Sequence, residues 1–231
     1  MSERDDEIRA NLREVEQRLA AACDAAGRDR SELTLVAVTK TFPASDVRLL
    51  AAAGLTDIGE NRDQEAAPKA RECADLPLTW HFVGQLQTNK CRSVARYASV
   101  VHSVDRERLV RALGSAASQA GRVVRCLIEV RLDGDAGRGG AAPADVPALA
   151  DRIAATEGVV PAGVMGIAPL GGDPARAFAT LAEVAGRLRS IHPEAIAISA
   201  GMSGDLEAAV KCGATHVRIG TALLGNRPPR R

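Results

Sequence analysis

A lysine, Lys40, directly follows an apolar run that is typical of a buried strand, LTLVAVTK. In barrels built from alternating strands and helices, the side chains that do chemistry stand at the carboxyl ends of the strands. A lysine amine at such a position can attack a carbonyl carbon and form a Schiff base. The same residue in another setting is an ordinary solvated charge, so the amine alone does not define a site.

Two segments near the C-terminus, ISAGMSGD (198–205) and HVRIGT (216–221), have the composition of a phosphate-binding site. Their small residues allow the backbone to approach an anion closely, and their hydroxyl groups can donate hydrogen bonds. The residues concerned are Ser199, Gly201, Met202, Ser203, Gly220 and Thr221. Each segment also has an ordinary explanation, in which Ser203 caps a helix near Asp205 and Gly220 serves packing.

The position of these two segments favours the phosphate interpretation. They follow the seventh and eighth strand-like runs, where barrel enzymes commonly bind phosphate. The first and last strands of a closed barrel are neighbours, so Lys40 and Arg218 should face the same opening. A nearby cation and partial desolvation would lower the pKa of the Lys40 amine and favour its reactive form, although Arg218 could instead form a surface ion pair. A reactive amine beside a phosphate site suggests a phosphorylated aldehyde, for which pyridoxal 5'-phosphate (PLP) is the natural candidate.

Short apolar runs and helical patterns alternate along the whole chain. Eight runs can be strands: LTLVAV, TDIG, WHFVG, SVVHSV, VRCLIEV, AGVMGI, AIAIS and THVRIG. Helical patterns occupy residues 4–26, 43–53, 105–120, 174–190 and 205–212, and most end at Gly or Pro. This alternation predicts an α/β fold, a single (β/α)8 TIM-type barrel preceded by an extra N-terminal helix. The Gly- and Pro-rich stretch 132–147 is expected to be a mobile loop after the fifth strand.

The composition of the 231 residues narrows the class of protein. A formal net charge of +1 with interspersed signs argues against nucleic acid or a membrane surface as partner. Five widely spaced cysteines without a CxxC pair fit a reducing compartment, and the four histidines have no metal-ligand spacing. No segment resembles a signal peptide or a membrane span, so we expect a cytoplasmic protein without a metal, most simply a monomer.

The motifs VAVTK, DIGENRDQE, WHFVGQLQTNK, GVMGIAPLGGDP and ISAGMSGDLEAAVKCGATHVRIGTALLG occur in this order. As a set they resemble the signatures of the pyridoxal phosphate homeostasis protein family, of the YggS/PROSC type, which is related to the N-terminal barrel of alanine racemase. The resemblance extends from about residue 33 to 226. It implies a single alanine-racemase-like PLP-binding domain over residues 1–231.

The resemblance also implies roles for individual residues. Lys40 would carry PLP as a Schiff base, and Arg218 would face the pyridine nitrogen. The segments Ser199–Ser203, with Gly201 and Met202, and Gly220–Thr221 would hold the phosphate. Asn61 and His81 would line the cofactor face, although His81 could equally be a satisfied buried ring.

Two positions depart from the family pattern. Ala200 stands where methionine is frequent, which trims a side chain expected to be buried. The loop after the fifth strand has Arg138 instead of a lysine that is often found there, so a secondary cofactor contact by such a lysine is not expected here.

The residues favour a carrier of PLP over a catalyst. Arginine does not readily release a proton, so a ring nitrogen facing Arg218 stays unprotonated and the cofactor is a weak electron sink. The related racemases use a tyrosine from a further domain as second base, and Tyr97 is poorly placed for that task. We therefore expect a protein that buffers or delivers PLP, with PLP-dependent apo-enzymes as possible recipients. The alternatives are a weak amino-acid racemase and a Schiff-base aldolase acting on a sugar phosphate.

Overall fold

The computed structural model describes residues 2–133 and 139–225, and its centre is a closed barrel of eight parallel strands. The strands are β1 (Thr34–Val38), β2 (Asp57–Glu60), β3 (Thr79–Phe82), β4 (Val100–Val104), β5 (Val124–Glu129), β6 (Val159–Met165), β7 (Ala197–Ser199) and β8 (His216–Ile219). Each strand pairs with its sequence neighbours, and β1 also pairs with β8. This last pairing closes the sheet and leaves no open edge.

Helices surround the barrel in the order expected of a repeated strand-helix unit. They are α1 (Glu3–Ala25), α2 (Ala44–Ala52), α3 (Asp63–Glu72), α4 (Cys91–Val94), α5 (Glu107–Gln119), α6 (Val146–Ala154), α7 (Pro174–Ile191), α8 (Leu206–Lys211) and α9 (Thr221–Leu224). The described part of the chain contains no helix long and apolar enough to cross a membrane.

The extra helix α1 packs on the outside of the barrel rather than joining the ring. Its first turn is capped by Ser2, whose hydroxyl accepts from the amide of Asp5. Ile8, Val15 and Leu19 are fully or almost fully buried, in one cluster with the apolar residues of α8 and α9. The helix therefore covers the two short helices that follow the last strands.

The sequence predicted the barrel, all eight strands and the extra helix. The remaining differences concern boundaries and helices that were not predicted. Strand β6 begins at Val159, three residues before the predicted run, and α3, α4, α6 and α9 were not predicted. The helix α3 has few apolar residues and an internal proline, Pro68, so its pattern gave no clear helical period.

The stretch 132–147 was expected to be one loop, and its described parts are more regular. Ala141 forms a parallel β-bridge with Val130, and α6 begins at Val146. Residues 134–138, with Arg138, lie outside the described residues, as does the basic tail beyond Gly225.

Gly163 in β6 is a position where a side chain does not fit. Its φ of +147° is one that other residues rarely adopt, and an added Cβ would lie 1.9 Å from the carbonyl oxygen of Ala197. We expect Gly163→Ala to lower the free energy of unfolding by about 2 kcal/mol or more. The matched control is Gly186→Ala in α7, where a Cβ meets nothing within 4 Å. It should raise stability by about 0.5 to 1 kcal/mol, since alanine favours a helix. Equal urea midpoints for the two variants would contradict the described backbone.

Candidate functional site

A cavity of about 310 Å³ opens at the carboxyl end of the barrel, between β1, β2 and the segments after β6, β7 and β8. Seven of the ten sequence-predicted site residues line it: Lys40, Asn61, Met202, Ser203, Arg218, Gly220 and Thr221. The volume is at the lower end of the range usual for small-molecule sites. The fold thus brings a lysine, an arginine and hydroxyl-bearing loops together around one cavity.

Lys40 lies in the turn that follows β1, and both of its neighbours are held in place. The Thr39 hydroxyl donates to Glu60 Oε1 at 2.6 Å, and Lys69 Nζ donates to the Thr39 carbonyl at 2.8 Å. Lys69 also forms a buried ion pair with Glu60. On the other side, the amide of Thr41 donates to Glu65 Oε2 at 3.0 Å. These contacts fix the backbone on both sides of Lys40.

Thr41 has a φ of +72°, the only positive value among the described residues other than glycine. A β-branched residue adopts this conformation at a cost of about 1 to 3 kcal/mol, and the surrounding contacts must compensate for it. The bond from Thr41 to Glu65 is one such contact. Strained residues cluster at functional sites, and Thr41 directly follows Lys40, which lines the cavity.

Arg218 is almost completely buried beneath the cavity. Its guanidinium donates to Ser199 Oγ at 2.5 Å and to the carbonyl of Gly166 at 3.1 Å. Burial lowers its pKa to about 10, and the charges of Asp205 and Glu129 act in the opposite direction. Within the described residues no carboxylate is close enough to form an ion pair with it. A buried, charged donor without an anionic partner can bind an electron-rich atom of a ligand in the cavity.

A chain of hydrogen bonds continues from Arg218 through the barrel interior. Ser199 Oγ lies 2.9 Å from His102 Nδ1, and His102 Nε2 lies 2.9 Å from His81 Nδ1. His81 Nε2 in turn lies 2.9 Å from Asp57 Oδ1, at the start of β2. The chain therefore connects the floor of the cavity with the opposite end of the barrel.

One consistent arrangement of protons satisfies every hydrogen bond in this chain. A guanidinium only donates, so the Ser199 hydroxyl accepts from Arg218 and donates to His102 Nδ1. His102 then carries its proton on Nε2 and donates to His81, and His81 donates to the carboxylate of Asp57. In this arrangement each ring nitrogen of His81 and His102 has a partner.

Burial disfavours the protonated form of two histidines in the barrel interior, His102 and His216. Burial, together with the charges of His81, Arg218 and His216, lowers the pKa of His102 well below its ordinary value. Burial likewise lowers the pKa of His216 to about 4. For Asp57 burial acts to raise the pKa, but the hydrogen bond and charge of His81 outweigh it and the net shift is downward.

Three of the predicted site residues lie behind the cavity wall instead of lining it. His81 and Ser199 belong to the interior chain of hydrogen bonds. Gly201 has a φ of +89°, and a Cβ there would lie 2.6 Å from the Cβ of Ala209 in α8. Its carbonyl accepts from the amide of Arg218 at 3.0 Å. These residues support the residues that line the cavity and do not line it themselves.

The predicted phosphate segments form one side of the cavity. Ser203 and Gly204 follow β7, and Gly220 and Thr221 follow β8. A Cβ on Gly220 would lie 3.2 Å from the carbonyl oxygen of Val38, so glycine allows β8 to pass close to the end of β1. Ser203 does not cap α8, because that helix begins after Asp205, which accepts from the amide of Met202 at 2.6 Å. The capping explanation for Ser203 is therefore wrong.

Several supporting residues were not singled out from the sequence. Glu60 and Glu65 stand within the GENRDQE motif, and Lys69 follows on the same helix face. Their role depends on contacts with the turn after β1, which lies more than 20 residues away. His102, in VVHSV, was visible only as a polar residue inside an apolar strand.

The fold and the match to known families define the class of protein. The family model of the alanine racemase N-terminal domain matches residues 5–228. The crystal structure of alanine racemase from Corynebacterium glutamicum is similar in fold, with a TM-score of 0.67, 15% identity, 95% of this chain covered and 60% of that chain. The protein is thus a barrel of the alanine racemase N-terminal type.

Relatives with higher sequence identity define the family more specifically. The pyridoxal phosphate homeostasis protein of Mycobacterium tuberculosis is 45% identical over 97% of this chain and 95% of the relative. Its Escherichia coli counterpart is 34% identical over 96% of this chain and 97% of the relative. PipY of Synechococcus elongatus, solved with PLP bound, has 35% identity and a TM-score of 0.82, over 94% of this chain and all of that one. The chain belongs to the pyridoxal phosphate homeostasis protein family, as its motifs indicated.

The lowered pKa values of His102 and His216 keep both rings neutral near pH 7 and predict a pH dependence of stability. An unfolded chain binds a proton at each histidine below about pH 6.5, whereas folded His216 does so only near pH 4, and burial lowers the pKa of folded His102 well below its ordinary value. The free energy of unfolding should therefore fall as the pH drops from 7 to 5. His102→Gln should flatten this slope in urea titrations, because it removes one of the two histidines whose pKa is lowered in the folded protein. A wild-type stability that is constant from pH 7 to 5 would contradict the neutral assignment.

Proposed function

We propose that this protein binds PLP in the cavity at the carboxyl end of the barrel and serves to buffer or deliver it within the cell. The observation that carries the proposal is the joint position of Lys40, the buried Arg218 and the two small-residue segments around one cavity. The PLP-bound structure of PipY, a relative with 35% identity, supports this choice of ligand.

The residues present fit the chemistry of PLP. The Lys40 amine would condense with the aldehyde, giving a Schiff base and one water molecule. The hydroxyls of Ser203 and Thr221 and the open space above Gly204 would accommodate the phosphate. Asn61 would border the ring, and the absence of a side chain at Gly84 allows the Asn61 backbone to pass close by, since a Cβ there would lie 2.1 Å from the Asn61 carbonyl oxygen.

Arg218 would face the pyridine nitrogen and donate a hydrogen bond to it. PLP supplies an electron sink for carbanion chemistry, and that capacity is greatest when the ring nitrogen is protonated. A guanidinium whose pKa is about 10 keeps its own proton at neutral pH, so it stabilises the unprotonated nitrogen. This arrangement favours retention of the cofactor over broad catalysis.

The surroundings of Tyr97 also support a carrier. A racemase needs a second base on the far side of its substrate, and tyrosine serves in the related enzymes. Tyr97 does not line the cavity, and its hydroxyl donates to Asp63 at 3.4 Å. Burial and the neighbouring carboxylates raise the pKa of Tyr97 above its ordinary value. The phenol therefore stays protonated at neutral pH and cannot accept a proton from a substrate. We infer a protein that is not an efficient enzyme, with weak racemase activity as the alternative.

The proposal extends to partners and location. PLP-dependent apo-enzymes would be the recipients of the cofactor, and the protein would act as a monomer in the cytoplasm. The reducing conditions there suit the five cysteines, all of which are free.

Lys40→Ala should abolish the visible absorption of the PLP Schiff base and the cofactor mass that borohydride fixes to the protein. The free energy of unfolding should change by less than about 1 kcal/mol, since Lys40 is only partly buried and adds little to the core. Peptide mass spectrometry after borohydride reduction measures the outcome. Lys90→Ala, which removes the lysine of a neighbouring cavity, should retain full labelling at Lys40. Reduced cofactor on Lys90 or any other lysine of the Lys40→Ala protein would refute the assignment.

Arg218→Ala should weaken PLP retention at least tenfold and shift the absorption maximum of the bound cofactor. A hydrogen bond to a charged group contributes about 1.5 to 3 kcal/mol, which corresponds to this loss. Equilibrium dialysis and absorption spectra measure both effects, with Arg125→Ala, an exposed arginine on β5, as control. Unchanged affinity together with an unchanged spectrum would place Arg218 away from the ring.

A further inference from the structure

The helix α1 contacts backbone carbonyls in the turn that carries Ser203 and in the short helix α9, which begins at Thr221. Arg18 donates to Ser203, Asn11 donates to Leu223, and Arg4 donates to Leu224. We propose that α1 positions the phosphate site, with Arg18 and Asn11 as its positioning residues. The inference rests on the proposed function and adds a specific role for the N-terminal helix.

Arg18 makes the contact with the segment after β7. Both terminal nitrogens of its guanidinium lie 3.2 Å from the Ser203 carbonyl oxygen. The same guanidinium binds Glu207 Oε1 in α8, with Nε at 3.1 Å and one terminal nitrogen at 2.7 Å. One planar side chain thus joins the turn that carries Ser203 to the helix that follows it. Rotation of the Ser203 peptide would break these bonds.

Asn11 and Arg4 make the contact with the segment after β8. Asn11 Nδ2 lies 3.0 Å from the Leu223 carbonyl oxygen, and an Arg4 terminal nitrogen lies 3.1 Å from that of Leu224. These carbonyls end α9, whose first residue is Thr221. The position of the Thr221 hydroxyl therefore depends on a helix that α1 holds at its far end.

The length of the helices explains why outside support is needed. The helices α8 and α9 have six and four residues, too short to be stable by themselves, whereas α1 has 23 residues. Val15 and Leu19 of α1 share one buried cluster with Leu206 of α8 and Leu223 of α9. A single long helix therefore fixes two short ones relative to each other, and with them the two sides of the phosphate site.

The test separates phosphate binding from cofactor binding in general by using PLP and pyridoxal, which lacks the phosphate. Arg18→Ala and Asn11→Ala should each raise the dissociation constant for PLP about fivefold and leave that for pyridoxal within twofold. The double variant should lower the preference for PLP over pyridoxal more than tenfold. Arg13→Ala is the matched control, because Arg13 is an exposed residue of the same helix. Calorimetric melting of each variant follows stability separately.

The outcomes are distinct. Loss of PLP preference in both variants, with the control unchanged, supports the proposal. Equal weakening for both ligands, or unchanged PLP affinity, overturns it.

Because the Arg18 side chain is 42% exposed, its loss should not unfold the protein. Arg18→Lys gives a second variant that keeps the charge but not the fork of donors, and it should show a smaller loss of the same preference. A wild-type protein without preference for PLP would refute the proposed phosphate site itself.

Discussion

The pairing of β1 with β8 is the interaction on which the rest of the structure depends. Val36 lies opposite Arg218, and Ala37 opposite Ile219, so the end of the first strand and the end of the last strand share one edge of the barrel. Lys40 and Arg218 are separated by almost the whole chain, and this pairing alone brings them to one cavity. Gly220 permits the close passage, since a Cβ there would press against Val38.

Closure of the barrel creates a polar interior that the core must accommodate. The chain from Asp57 through His81, His102 and Ser199 to Arg218 places two imidazole rings between a carboxylate and a guanidinium. Every donor in it has an acceptor, which is the condition for keeping polar groups buried. The chain holds Arg218 without giving it an anionic partner among the described residues, so the guanidinium remains available to a ligand. Burying this guanidinium without an anion costs stability, and it places a positive charge at the floor of the cavity.

Helices outside the barrel hold the turns and short helices that border the cavity. Glu60 at the end of β2 and Lys69 of α3 form a buried pair that holds the turn with Lys40, and α1 contacts the turn after β7 and the short helix α9 after β8. In both cases a helix outside the barrel supports a short turn or short helix at the carboxyl end of the strands. Ligand-binding residues can then sit on short turns and still be fixed in position.

The sequence by itself determined the barrel, its eight strands, the extra helix and the family, because strand periodicity and long motifs are local properties of the chain. It also identified Lys40, Arg218 and the small-residue segments by their position after strands. Tertiary structure alone decided that His81 and Ser199 lie behind the cavity wall, that Thr41 is held with positive φ, and that α1 contacts both segments. These features depend on pairs of residues 20 to more than 200 positions apart. A linear pattern carries no record of such pairs, since only the closed barrel sets the distances between them.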